Sequence, residues 1–93
     1  MGSDRLELYV SGANAESRAA LEQVERLRAA WRAPTVELVV FDAQRSPLAA
    51  REAGVVLVPT LILRTESGER RCFGDFSELA ATRAALGIEG PTP

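Results

Sequence analysis

Three consecutive segments near the start of the chain constrain its fold most. Leu6, Leu8 and Val10 alternate with Glu7, Tyr9 and Ser11, the period-two pattern of a strand. From Ala15 to about Trp31 the period lengthens, and Ala20, Val24, Leu27 and Trp31 share one helical face with Leu21 beside them. Val36 to Phe41 returns to strand, and its run Leu38-Val39-Val40-Phe41 is apolar on both faces, as in a buried parallel strand. Strand, long helix and strand make a βαβ unit with a right-handed crossover. The punctuation agrees. Gly12-Ala13-Asn14 ends the first strand, Asn14 suits a helix N-cap, and Glu16 favours the positive end of the helix. Glu22 and Arg26 stand four apart on the exposed side as a supporting pair. Ala33-Pro34-Thr35 stops the helix, because proline lacks a donor and biases its predecessor away from helix.

The second half reads differently. Ser46 is placed to cap a short helix with Pro47 at its first position, and Gly54 stops it after Ala53. Val55 to Val58 is extended and apolar until Pro59 interrupts it. Thr60 to Thr65 is a third strand. Glu66-Ser67-Gly68-Glu69 is a hairpin turn, and Arg70 to Phe73 is the returning strand. A last helix follows, capped by Asp75 or Ser77, rich in alanine from Ala80 to Ala85 and ended by Gly87. The order β-α-β-α-β-β-α, with a parallel pair first and an antiparallel hairpin second, is that of the α/β thioredoxin-like architecture. It implies a four-stranded mixed sheet of order 2-1-3-4 with helices on both faces. The domain is expected over residues 6–87, with a disordered start over 1–5 and a flexible tail over 88–93. Thioredoxin-like folds place a cis-proline before the third strand, so that resemblance implies a cis bond at Val58-Pro59.

Composition narrows the chemistry. The 93 residues suit one domain. There is no His, which removes the commonest general base near neutral pH and all Ser-His-Asp or Cys-His catalysis within the chain. One Cys can form neither an internal disulfide nor a C-x-x-C pair, nor a multi-cysteine zinc site. The net charge of −2 gives no global reason to bind nucleic acid. No long apolar run or leader pattern occurs, so a cytoplasmic protein without a membrane anchor, catalytic residues, metal or cofactor is expected. All eleven basic residues are Arg, which fits genome composition better than function.

The local candidates are few. Thioredoxin-like oxidoreductases carry their cysteines at the start of the long helix, where this chain has Ser11-Gly12-Ala13-Asn14-Ala15-Glu16. Cys72 falls instead in the fourth strand, where a thiol acts as a small apolar group. Arg64, Arg70 and Arg71 concentrate positive charge around the hairpin, either as a solvated strand end or as a contact for an acidic partner. Asp42 and Asp75 read as turn and capping groups rather than a catalytic pair. In the 2-1-3-4 order the strand from Val36, through Glu37, Leu38 and Val39, is an edge open to an added strand.

Several pieces in order resemble the KaiB family. They are Leu8-Tyr9-Val10-Ser11-Gly12, Val39-Val40-Phe41-Asp42, Ser46-Pro47, Val58-Pro59-Thr60-Leu61 and Arg70-Arg71-Cys72-Phe73-Gly74-Asp75-Phe76-Ser77. Gly12, Pro47, Pro59, Thr60, Gly74, Asp75 and Ser77 carry the motif. The similarity spans roughly Leu6 to Leu86, and the same pattern occurs in the KaiB-like sensor domain of the SasA histidine kinase. The resemblance implies a non-enzymatic clock or signalling component that binds the RecA-like ATPase ring KaiC and helps to recruit KaiA, with histidine-kinase signalling proteins as further partners. It also implies a second half able to adopt either α-β-β-α, which binds KaiC, or β-α-α-β in a tetrameric resting state. This chain departs from the switching pattern. Thr65-Glu66-Ser67-Gly68-Glu69 replaces a proline-rich segment, Ala85 stands where switching members can carry Gly, and Gly54 lies near the place of a basic residue. The expectation is a monomeric thioredoxin-like ground state. A divergent regulatory module for another signalling partner and a redox protein using Cys72 are the alternatives.

Overall fold

The computed structural model describes residues 4–31 and 36–88. The break at Ala33-Pro34-Thr35 and most of the expected start and tail lie outside the described residues. The elements are β1 (Arg5–Val10), α1 (Ala15–Trp31), β2 (Glu37–Asp42), α2 (Pro47–Glu52), β3 (Thr60–Thr65), β4 (Gly68–Phe73) and α3 (Leu79–Leu86). The sheet order is β2-β1-β3-β4, with β1 parallel to β2 and antiparallel to β3, and β3 antiparallel to β4. This is the thioredoxin-like arrangement expected from the element order. Arg5 belongs to β1, and Ile88 is buried in the core.

Strand alternation divides the side chains between two layers. Leu6, Leu8 and Val10 of β1 and Leu61 and Leu63 of β3 pack beneath Ala20, Val24 and Leu27 of α1, joined by Phe76, Leu86 and Ile88. This is the main core, and α1 supplies the helical face expected of it. Trp31 packs at its margin, while Leu21 stays exposed. On the opposite layer Tyr9 and Ile62 meet Ala50 of α2, with Phe41 stacked on Tyr9 at 4.8 Å between ring centroids.

Helix α2 has only six residues and covers one end of that layer. The other end is tiled by charge. Glu37, Arg5, Arg64 and Glu69 stand side by side across all four strands. In the next row Glu7 lies on the central strand at 3% exposure. Arg5 reaches its Oε2 at 2.7 Å, Arg64 Nε reaches its Oε1 at 3.0 Å, and the Tyr9 hydroxyl donates to Oε1 at 3.0 Å. Arg64 also pairs with Glu69 at 2.8 Å, and Glu69 pairs in turn with Arg71. A buried carboxylate is tolerable only when paired and hydrogen-bonded, and this one is both.

Several local expectations need correction. Ser46 is the N-cap residue of α2, but its side chain makes no capping hydrogen bond, and Pro47 at the start carries the entry instead. Neither Asp75 nor Ser77 caps α3. Asp75 Oδ1 accepts the Ser77 N–H at 2.9 Å in a local turn, and Glu78 is the N-cap residue. The extended run 55–58 joins no strand of the sheet, and Val56 is 86% exposed. Glu22 and Arg26 form no ion pair; Glu25 and Arg28 pair at 2.9 Å, and Arg28 also donates to the Val36 carbonyl. β2 is not apolar-buried on both faces: as an edge it leaves Val40 45% exposed. Other expectations hold. Asn14 Oδ1 accepts the Ser17 N–H at 2.9 Å, the Glu66-Ser67 turn joins β3 to β4, and Gly87 ends α3 in the left-handed conformation at φ 70°.

The Glu7 cluster should respond to neutralisation. Glu7→Gln should destabilise the fold by about 1–3 kcal/mol, the scale of lost charge-assisted hydrogen bonds with partly solvated partners. A urea titration should show a lower midpoint with an unchanged slope.

Candidate functional site

The surface of interest lies where β1 ends, α1 begins and β3 starts. Two side chains knit the loops there. Asp42 Oδ1, at the end of β2, accepts the N–H groups of Gly12 at 3.0 Å and Gln44 at 2.9 Å. Gln44 Nε2 donates to Ser11 Oγ at 3.0 Å, and Asn14 Nδ2 donates to the Ser11 carbonyl at 2.8 Å. The β1–α1 loop and the β2–α2 loop therefore form one hydrogen-bonded rim. Across from it stands Pro59, whose peptide bond with Val58 is cis, as the resemblance implied. The Pro59 carbonyl accepts the Gly74 N–H at 2.9 Å, and Thr60 is fully buried with its hydroxyl on the Leu57 carbonyl. Further along, Gln23 Oε1 of α1 accepts the Phe76 N–H at 3.0 Å.

Between these walls runs a groove with two lobes, of about 180 and 410 Å³. The lobes meet at Glu16, Val58 and Pro59. Ser11, Asn14 and Gln44 line one end; Gly74 and Asp75 line the other. Residues 11–16 contribute hydroxyl, amide and carboxylate groups and no thiol. Sequence reasoning missed this groove and the exposed Val56, Leu57 and Val58 beside it. The signal was present: four apolar residues run into Pro59 without the alternation of a half-buried strand.

The other candidates are dispersed. Arg64 and Arg71 share one face of the sheet with Glu69, and Arg71 also donates to the Ala53 carbonyl at 2.9 Å. Arg70 lies one position out of phase and packs against Gly87 on the other face. The three guanidiniums therefore do not form one basic patch. At the β2 edge, Val36 is 2% exposed and its carbonyl accepts from Arg28, so it offers a partner neither. The Glu37 N–H donates to the Asp4 carbonyl and the Ala43 N–H to the Val10 carbonyl. By the strand's period of two, the N–H groups of Leu38 and Val40 point away from the sheet. Glu37 is exposed, and Leu38 and Val39 are half-buried.

Cys72 lies in β4 against the main core, and burial pushes its thiol up to about 11. Asp42 and Asp75 shift the other way: backbone N–H groups, Gly12 first for Asp42 and Ser77 for Asp75, hold their carboxyls below the usual range. Among the described residues no cluster of His, Cys, Asp and Glu could hold a metal ion, and no helix is long and apolar enough to cross a membrane.

No family model matches the chain, and no curated protein does. Solved structures do. The N-terminal domain of Synechococcus elongatus SasA has a TM-score of 0.72 at 17% identity, covering 98% of this chain and 90% of that one. Oxidised thioredoxin O2 from Arabidopsis thaliana has a TM-score of 0.73 at 16% identity, covering 94% and 76% respectively. Fasciola hepatica thioredoxin has a TM-score of 0.70 at 20% identity, covering 91% and 79%. The chain has a thioredoxin-like fold.

Lowered carboxyl pKa values make stability depend on pH with a definite sign. The contribution of Asp42 is complete above the unfolded-state value, near pH 4, and is lost as pH falls through the folded-state value. Urea midpoints should therefore fall as the pH is lowered below about 4. Asp42→Asn, which keeps an acceptor but no charge, should flatten that dependence.

Proposed function

We propose that the chain is a non-catalytic adaptor of KaiB type that docks on a KaiC-type, RecA-like ATPase ring. The observation that carries this reading is the match to the SasA N-terminal domain, which takes in nearly the whole of both chains. The KaiB-like motifs support it, because Pro59, Thr60, Gly74 and Asp75 all shape the same end of the molecule. The β2 edge is the docking element, through the outward N–H groups of Leu38 and Val40, with Glu37 and Val39 beside them. Such an edge can take a strand from a partner without any catalytic group. The same surface would serve a histidine-kinase signalling partner or a KaiA-like protein, the second reading within this class. The protein acts as a cytoplasmic monomer.

A redox role is the competing reading, supported by the likeness to thioredoxins. Cys72 argues against it: it stands in β4, away from the groove, and a thiol held near 11 is protonated and unreactive at neutral pH. Iodoacetamide should alkylate Cys72 of the native protein at pH 8 about a hundredfold more slowly than a free cysteine, from the difference in thiolate fraction. A rate equal to that of the free thiol would revive the redox reading.

The adaptor reading is tested by size-exclusion binding to a KaiC-type ring encoded in the same genome, with and without ATP. Co-elution is expected. Val40→Pro removes an outward N–H from an edge strand that tolerates proline. It should weaken binding by about tenfold or more while retaining the thermal transition. Failure to bind any such ring would reject the proposal.

A further inference from the structure

The sheet has a second edge, at β4, and its backbone directions follow from the hairpin. The Gly74 N–H donates to the Pro59 carbonyl, which makes residues 59 and 74 a hydrogen-bonded pair. Such pairs recur at every second residue of an antiparallel ladder, so Leu61–Cys72, Leu63–Arg70 and Thr65–Gly68 belong to the same series. The N–H and C=O groups of Gly68, Arg70 and Cys72 therefore face β3. Those of Glu69, Arg71 and Phe73 face outward. β4 is the last strand of the sheet, and among the described residues no other segment hydrogen-bonds to these outward backbone groups. The register runs unbroken from Gly68 to Phe73, with neither a bulge nor a proline to blunt the edge. Charge is the remaining guard, and it is of both signs: Glu69 and Arg71 are paired neighbours on one face.

From this we infer that β4 pairs antiparallel, across a twofold axis, with β4 of a second copy of this chain. One central register sets Glu69 on Glu69, and another sets Arg71 on Arg71; like charges directly opposite destabilise a sheet. The register between them sets Glu69 on Arg71 and Arg71 on Glu69, both as hydrogen-bonded pairs of opposite charge. The strand is its own complement in that register. In it Glu69 is shared by Arg64, its own Arg71 and the second copy's Arg71. Phe73, half exposed, falls opposite Ser67 of the second copy's turn. Arg70 meets its symmetry copy on the other face, with its guanidinium held against Gly87 at the carbonyl end of α3, an end that favours a cation. The inference does not rest on the adaptor reading. Sheet order puts β2 on the opposite side, so pairing leaves the docking edge free. A contact this short buries less than the roughly 1,200 Å² of a standard interface, so the pair dissociates at about 0.1–1 mM and the chain docks as a monomer.

The test is sedimentation equilibrium of the full chain from micromolar to millimolar concentration. The average mass should rise from that of one chain towards that of two. Glu69→Arg sets Arg on Arg and Arg71→Glu sets Glu on Glu, so each variant alone should associate about tenfold more weakly. Mixed in equal amounts the two variants are complementary at both pairs, and they should associate as the unmutated chain does. If either variant does not fold, amide hydrogen exchange of the unmutated chain decides: the N–H groups of Glu69 and Arg71 should gain protection as concentration rises, and those of Leu38 and Val40 should not. A single-chain mass at millimolar concentration, association indifferent to both substitutions, a mixture no tighter than its components, or protection gained at β2 in place of β4 would overturn the inference. Neither substitution touches β2, so ring binding is scored separately, and the failure of one idea leaves the other standing.

Discussion

Glu7 occupies the central strand β1, which has a neighbour on either side, and it is only 3% exposed. Such a charge costs several kcal/mol to bury unless its partners are in place. They are supplied by Arg5 on the same strand, Arg64 on β3 and the hydroxyl of Tyr9. The cluster therefore works on register. Sliding β1 by one residue would turn Glu7 into the layer of Leu61, Leu63 and Val24, where no cation waits. It also explains how a six-residue α2 suffices. The half of the sheet that this helix leaves bare is covered by arginine stems and closed by their charges.

The two sides of the sheet divide the work. The layer under α1 supplies apolar burial, from Leu6, Leu8, Leu61 and Phe76, all nearly inaccessible. The opposite layer supplies specificity, through one aromatic stack and one ion cluster. The β2 edge, proposed above as the docking element, lies at the periphery of both layers.

Much of this was legible in the residues, and the parts that were not have physical reasons. The βαβ unit was readable because period two changes to period 3.6 and back, with Asn14 marking the change. Strand order followed from the likeness of the element order to the thioredoxin-like architecture. Glu7 could be placed on a strand but not in a cluster, because Arg64 reaches it from β3 through a register set only by the folded sheet. The three arginines near the hairpin looked like one patch because sequence proximity hides strand alternation: Arg70 and Arg71 point to opposite faces. The N-cap of α3 was misplaced because Ser and Asp satisfy turns as readily as helix ends, and Asp75 chose a turn. The apolar run into Pro59 was visible, but the groove was not, because its walls come from four separate segments that only the fold brings together.

The last segment is tied to the rest by a particular contact. Helix α3 rests on β4, itself an edge strand, and Gln23 on α1 holds the Phe76 amide across 53 residues of chain. Phe76, Leu86 and Ile88 are all buried in the main core, and Thr82 is 5% exposed. With Gly74 held to the Pro59 carbonyl and Phe76 to Gln23, the chain after β4 is fastened both at the start of β3 and on α1. Cutting the protein short of residue 76 would therefore take Phe76, Leu86 and Ile88 out of the main core, so this last segment completes the fold and is not an appendage to it.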